Sequence, residues 1–179
     1  NCYVYGYSST VGGGMYTSSY GTYATTGGGH YARSMSYAST VAGGYYNWVS
    51  GARATNGGGR YNWVSSYHGT IAGGGYNGLY SSYSTIGGGL LNTVSGTSGT
   101  IAGGTDNTVS EALGFIGGGQ LNVASGTSGI VVGGLSQSNH APYSTISGGL
   151  QNTIASVGSS SVIGGGRDNY VSSQLSVVR

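Results

Sequence analysis

NTVSGTSGTIAGGTDNTVS, residues Asn92–Ser110, contains one word twice: the NTVS at Asn92 returns at Asn107, fifteen residues on. Between the copies lie a Thr-Ile pair and a Gly-Gly pair. Self-similarity at a short fixed period has to be settled first, because it decides which folds remain open. Gly-Gly serves as the marker. It recurs at Gly13-Gly14, Gly28-Gly29, Gly43-Gly44 and onward to Gly148-Gly149 in steps of 15; Gly165-Gly166 follows after 17, so two residues are inserted within 156–161. A content of 40 glycines in 179 residues would otherwise suggest low-complexity disorder. A disordered chain has no reason to hold such a register.

Let each repeat be numbered from phase 1 to phase 15, with Asn1 at phase 1. Phase 11 is then aliphatic almost throughout (Val11, Val41, Ile71, Ile86, Ile101, Ile116, Val131, Ile146, Ile163), and so is phase 4 (Val49, Val64, Leu79, Val94, Val109, Ile154, Val171), with Ser19, Ser34 and Asn139 as exceptions. Phase 2 is Asn at Asn47, Asn62, Asn77, Asn92, Asn107, Asn122, Asn152 and Asn169. Phase 10 is Thr at Thr10, Thr25, Thr40, Thr55, Thr70, Thr85, Thr100 and Thr145. Each repeat therefore carries two short β-branched runs, too short for helices and separated by Gly/Ser-rich corners. Alternation puts phases 2, 4, 9 and 11 inside and phases 3 and 10 outside. Glycine is expected to supply the positive-φ corners.

The pattern predicts an all-β fold: one β-solenoid (β-roll) domain over residues 1–179, about twelve 15-residue coils with two short parallel strands per coil. A single coil buries too little to fold alone, so stacking must supply the stability. Coils about 4.8 Å apart give a rod on the order of 55 Å long. The Asn column is expected to form an internal amide ladder.

Composition narrows the function classes. Only 4% of residues are charged, and the net charge of +2 comes from Arg33, Arg53, Arg60, Arg167 and Arg179 against Asp106, Glu111 and Asp168. That leaves no electrostatic footprint for nucleic acid. No apolar run is long enough for membrane insertion. Cys2 is alone. His30, His68 and His140 fall at different phases and the acids lie far apart, so no catalytic constellation and no cofactor is expected. GGTDN (103–107) and GGGRDN (164–169) have the look of glycine-aspartate calcium coils, but neighbouring coils carry Leu or Ser where further Asp ligands would be required, so no metal is expected.

The N-x-V-S-G and S-x-I-x-G coils, NTVSGTSGTIAGG (92–104) above all, resemble the β-roll heads of trimeric autotransporter adhesins. The N-x-V-x-G stretches NWVSG (47–51) and NTVSG (92–96) are also similar to the ice-binding β-roll protein of perennial grasses. The first likeness implies an adhesive element at a cell surface, the second an ice-binding face.

Two exposed columns are the candidate sites. Tyr16, Tyr31, Tyr46, Tyr61 and Tyr76 occupy phase 1 in five successive coils, and the same edge continues as Leu90, Leu91, Leu121, Leu135 and Leu150. Trp48 and Trp63 stack beside it at phase 3. This edge suits stiffening, side-by-side packing of rods, or glycan binding. The outward Thr column is the candidate ice-binding face. The chain starts at phase 1 and stops at phase 12, so copies are expected to stack head to tail as well as laterally. The function expected is a non-enzymatic structural or adhesive β-solenoid, extracellular or at the cell surface, in a fibre or appendage. The alternatives are an ice-binding protein and a glycan-binding module.

Overall fold

A computed structural model describes residues 1–179 and contains no helix. Twelve strands, from Cys2–Val4 through Tyr170–Val171, form one parallel sheet; twelve more, from Thr10–Val11 through Val177–Val178, form the other. Every strand pairs with its own counterpart one coil away. Thr70 faces Thr85 and Val94 faces Val109, a register of 15 residues. Across the insertion Thr153 faces Tyr170 and Thr145 faces Val162, a register of 17, and the phase then resumes. The chain is the expected β-solenoid of twelve coils.

The core is two aliphatic columns meeting between the sheets. Val49, Val64, Leu79, Val94 and Val109 from phase 4 meet Ile71, Ile86, Ile101 and Ile116 from phase 11, all fully buried. Phase 9 holds small residues, Ala54, Gly69, Ser84, Gly99 and Gly114, all buried. A Cβ on Gly99 would stand 2.8 Å from Val94 and 2.9 Å from Val109, so the narrow interior leaves no space for a third large column.

The asparagine column binds one corner to the next coil. Asn92 is typical. Its Nδ2 donates to Gly88 O in its own coil at 2.9 Å and to Gly104 O in the next at 3.0 Å, while its Oδ1 accepts the backbone N–H of Asn107 at 3.1 Å. The same three bonds recur from Asn62 to Asn122. Each amide thereby satisfies buried groups that the sharp corner leaves without strand partners. The second marker glycine, at phase 14, is fixed by this arrangement. Gly59 has φ +89°, and a Cβ there would lie 2.0 Å from Gly74 O and 2.9 Å from Asn62 Nδ2. No side chain fits that gap.

Three features depart from the expected coil. First, a third parallel file runs along phase 15, as single bridges from Met15↔His30 to Leu150↔Arg167. The coil thus has three sides rather than two. Second, glycine does not supply all the positive-φ corners. Phase 1 and phase 8 adopt the left-handed conformation with whatever residue is present, including Tyr46 (φ 54°), Leu91 (φ 58°), Arg53 (φ 54°) and Leu113 (φ 59°). Each such residue costs on the order of 1 kcal/mol. The left-handed turn aims its N–H backwards at the preceding coil: Tyr46 donates to His30 O and Arg53 to Tyr37 O, both at 2.8 Å. These bonds offset the backbone cost. Third, polar residues inside the columns bond locally. Ser19, Thr26 and Ser34 share hydroxyl contacts of 2.9–3.2 Å, Asn56 Nδ2 donates to Asn62 O, and Asn139 Nδ2 donates to Ile130 O and Ser144 O.

Phase 2 of the third coil is Ala32, fully buried, where the ladder pattern calls for Asn. Ala32→Asn is expected to extend the ladder onto Asn47 and raise stability by about 1 kcal/mol. Asn92→Ala should lower it by about 1–3 kcal/mol, because buried carbonyls and the Asn107 N–H lose their partner. Paired thermal or urea melts of the two variants check both signs.

Candidate functional site

The edge at phase 1 owes its geometry to the left-handed corner, which sets each side chain on the outside of the turn. Coil spacing then brings like rings face to face. Tyr16, Tyr31, Tyr46, Tyr61 and Tyr76 form one continuous stack, with centroids 4.8, 4.5, 5.1 and 4.9 Å apart and planes within 20° of parallel. Four of the five rings are still about 40% exposed, so the stack is a surface ridge. The third file adds a second row beside it: His30 stacks on Tyr45 at 5.0 Å, and the Arg60 guanidinium lies over Tyr76 at 5.1 Å.

On the other flank Trp48 and Trp63 stack at 4.7 Å, and the Arg33 guanidinium sits 5.6 Å from the Trp48 ring. A cleft of about 210 Å³ separates ridge from flank, lined by Tyr31, Arg33, Tyr46 and Trp48. Because the rings cover one another, a ligand can reach open aromatic faces only at the ends of the stacks. Between the ends it meets ring edges and phenol groups.

From the seventh coil the ridge changes character. Leu90, Leu91, Leu121 and Leu135 are 40–47% exposed, and Leu150 is half-buried. The ten candidate edge residues therefore lie on two adjacent files, phases 15 and 1, that run along one corner of the rod.

The threonine file sits on the outer face of the second sheet, in register from Thr10 to Thr100 over seven coils. Phe115 and Ile130 interrupt it before Thr145. It is corrugated rather than flat. Thr25, Thr55 and Thr85, each followed two residues on by Gly, are exposed; Thr40, Thr70 and Thr100, each followed by Ala, are half-buried. A Cβ on Gly57 would stand 2.3 Å from Ala72 O, so that position has no space for a side chain.

Elsewhere there is little that could carry chemistry. No three His, Cys, Asp or Glu side chains gather as a metal site, and the only ion pair is Arg167–Asp168, between sequence neighbours on the surface. Ser125 Oγ meets His140 Nδ1 one coil on, a pairing not foreseen from the sequence. Arg53, on the opposite corner, donates to Tyr67 Oη at 2.6 Å and faces Tyr37 and Tyr67. No helix is long and apolar enough to cross a membrane. No family model matches the chain, and no curated protein matches it.

Stacking alters the phenols. Tyr46 and Tyr61 are held above the ordinary tyrosine value, first by desolvation among the neighbouring rings and then by repulsion between adjacent phenolates. A raised folded-state pKa means that the folded chain retains protons the unfolded chain has lost, so stability is full below about pH 10 and falls as pH rises through the folded value. Absorbance titration at 295 nm should resolve a late-titrating fraction. Tyr46→Phe with Tyr61→Phe should remove it and reduce the alkaline loss of melting temperature.

Proposed function

We propose that this chain is a non-enzymatic, extracellular structural and adhesive rod, a subunit or segment of a fibre or surface appendage. The observation that carries this reading is the ridge: exposed large apolar side chains follow one corner of a stiff rod along most of its length. Isolated exposed apolar residues need no explanation, but the unbroken file from Tyr16 to Leu91 marks an interaction surface, which resumes at Leu121, Leu135 and Leu150 after Thr105 and Asp106 interrupt it. The resemblance of the coils to adhesin heads supports the same reading, as does a surface poor in charge.

The two halves of the ridge suit two tasks. Leucine side chains have no hydrogen-bonding groups and favour a dry contact, so Leu90, Leu91, Leu121, Leu135 and Leu150 pack against a second copy, with Thr105, Asp106 and Gln120 forming polar breaks among them. The tyrosine half presents phenol groups as well as apolar area, which suits contact with a polar surface. The threonine file supports an ice-binding role less well, because it is one residue wide, corrugated and interrupted.

Leu91→Asn with Leu121→Asn tests the association. Asn tolerates the left-handed corner, so the fold is kept while the apolar contact is lost. Light scattering should show concentration-dependent growth for the natural sequence and smaller species for the double variant, with the β spectrum and melting temperature preserved. A natural sequence that stays a single chain at high concentration, or a variant of unchanged mass, contradicts the proposal.

A further inference from the structure

We propose that the cleft between the tyrosine ridge and the tryptophan stack binds an acidic saccharide, taking the carboxylate of one uronic acid unit on Arg33. This goes beyond the structural reading above and does not depend on it.

Charge along the rod points to an anion. All three acidic residues lie at or beyond Asp106, whereas Arg33, Arg53 and Arg60 lie before it. Coils one to seven therefore carry arginine with no carboxylate of their own. Arg53 is engaged on another corner, by the phenol oxygen of Tyr67. Arg33 is different. No side-chain acceptor binds its guanidinium, no acid lies within 4 Å, and its one interaction is the tryptophan face. A guanidinium held over a ring is positioned but keeps its fork of donors, and that fork matches the two oxygens of a carboxylate.

A second unpaired donor belongs to a residue that lines the same cleft. The Trp48 Nε1–H is buried, and no protein atom accepts it. A buried donor left without an acceptor is costly, and native structures rarely keep one without a reason. An anionic oxygen entering beside Arg33 meets the guanidinium directly, and a small shift of the Trp48 ring that uncovers its N–H gives that donor the acceptor it lacks.

The remaining walls favour a sugar as the bearer of that carboxylate. Tyr31 and Tyr46 bring phenol groups that can donate to or accept from ring hydroxyls, and their edges and the indole offer apolar contact for C–H groups. At about 210 Å³ the cleft falls below the range of sites for drug-sized ligands and has space for about one sugar ring. Arg60, on the far side of the ridge, adds positive potential along the same corner.

Trp48 and Trp63 are the only tryptophans and stack on each other, so indole fluorescence reports on the stack that borders the cleft. The chain, held at a concentration where it is not associated, is titrated with a trimer of galacturonic acid, with maltotriose as the neutral sugar and with a glutamate tripeptide as the non-sugar acid. The uronate trimer should give a saturable change, weakened by salt, and the other two should give none at matched concentration. Arg33→Ala and Arg33→Gln should each weaken the uronate by roughly tenfold or more with the melt unchanged, whereas Arg53→Ala should bind as the natural sequence does. Binding by the uronate trimer should persist in the Leu91→Asn, Leu121→Asn variant, which separates this site from rod association. Equal response to maltotriose or to the tripeptide, no response to the uronate, or full binding by both Arg33 variants would overturn the proposal.

Discussion

The structure depends on one contact, the passage of an asparagine amide across the gap between a glycine carbonyl in its own coil and another in the next. A parallel coil with a corner this sharp leaves backbone groups turned inward where no strand can meet them. The Asn column answers them in order: Nδ2 donates to two carbonyls and Oδ1 accepts the N–H of the following Asn. The price is close approach of successive corners, which excludes a Cβ from phase 14 and so fixes the second glycine of the marker, whereas a Cβ on the first, as at Gly73 or Gly103, would meet open space. The aliphatic columns fill the space between the sheets, and the first three coils, with Cys2, Thr17 and Ala32 at phase 2, hold the same period through their backbone pairing.

Once the backbone is held so fully, the outer corners are free to vary in chemistry. The left-handed residues at phases 1 and 8 are secured by their backward hydrogen bonds to the preceding coil, whichever side chain they carry. One corner can therefore display tyrosine for five coils and then turn to leucine without disturbing the core. The display is rigid because the scaffold repeats: identical rings one coil apart have little choice but to stack. The ridge and the cleft beside it are consequences of periodicity acting on side chains that the fold itself does not require.

Much of this was legible in the sequence. The 15-residue step of Gly-Gly, the alternation of Val and Ile columns and the Asn column specify a stacked coil, and register, core and ladder follow from them. Two things were not. The third file at phase 15 holds Met15, His30, Tyr45, Arg60, Gly75 and Leu90 in turn, so no residue preference betrays it. Its pairing is imposed by the backbone on either side. Positive φ at Tyr46 or Leu113 was hidden for the opposite reason: local propensity argues against it, and only hydrogen bonding between coils overrides that preference. The tyrosine ridge was visible as a column, but the cleft was not. It depends on Arg33 and Trp48 being brought beside Tyr31 and Tyr46 across a corner, and on which donors are left unpaired there.

Side-chain amide hydrogen exchange, followed by NMR with assigned asparagines, tests the central claim most directly. Asn62, Asn77, Asn92, Asn107 and Asn122 are at most 1% exposed and each donates to two glycine carbonyls. Their Nδ2 protons should exchange orders of magnitude more slowly than those of the exposed Asn1, with protection as high as that of the neighbouring strand amides. Exchange of these five at the rate of Asn1, while the strand amides stay protected, would mean that the coils stack without the asparagine ladder, and the account would fail.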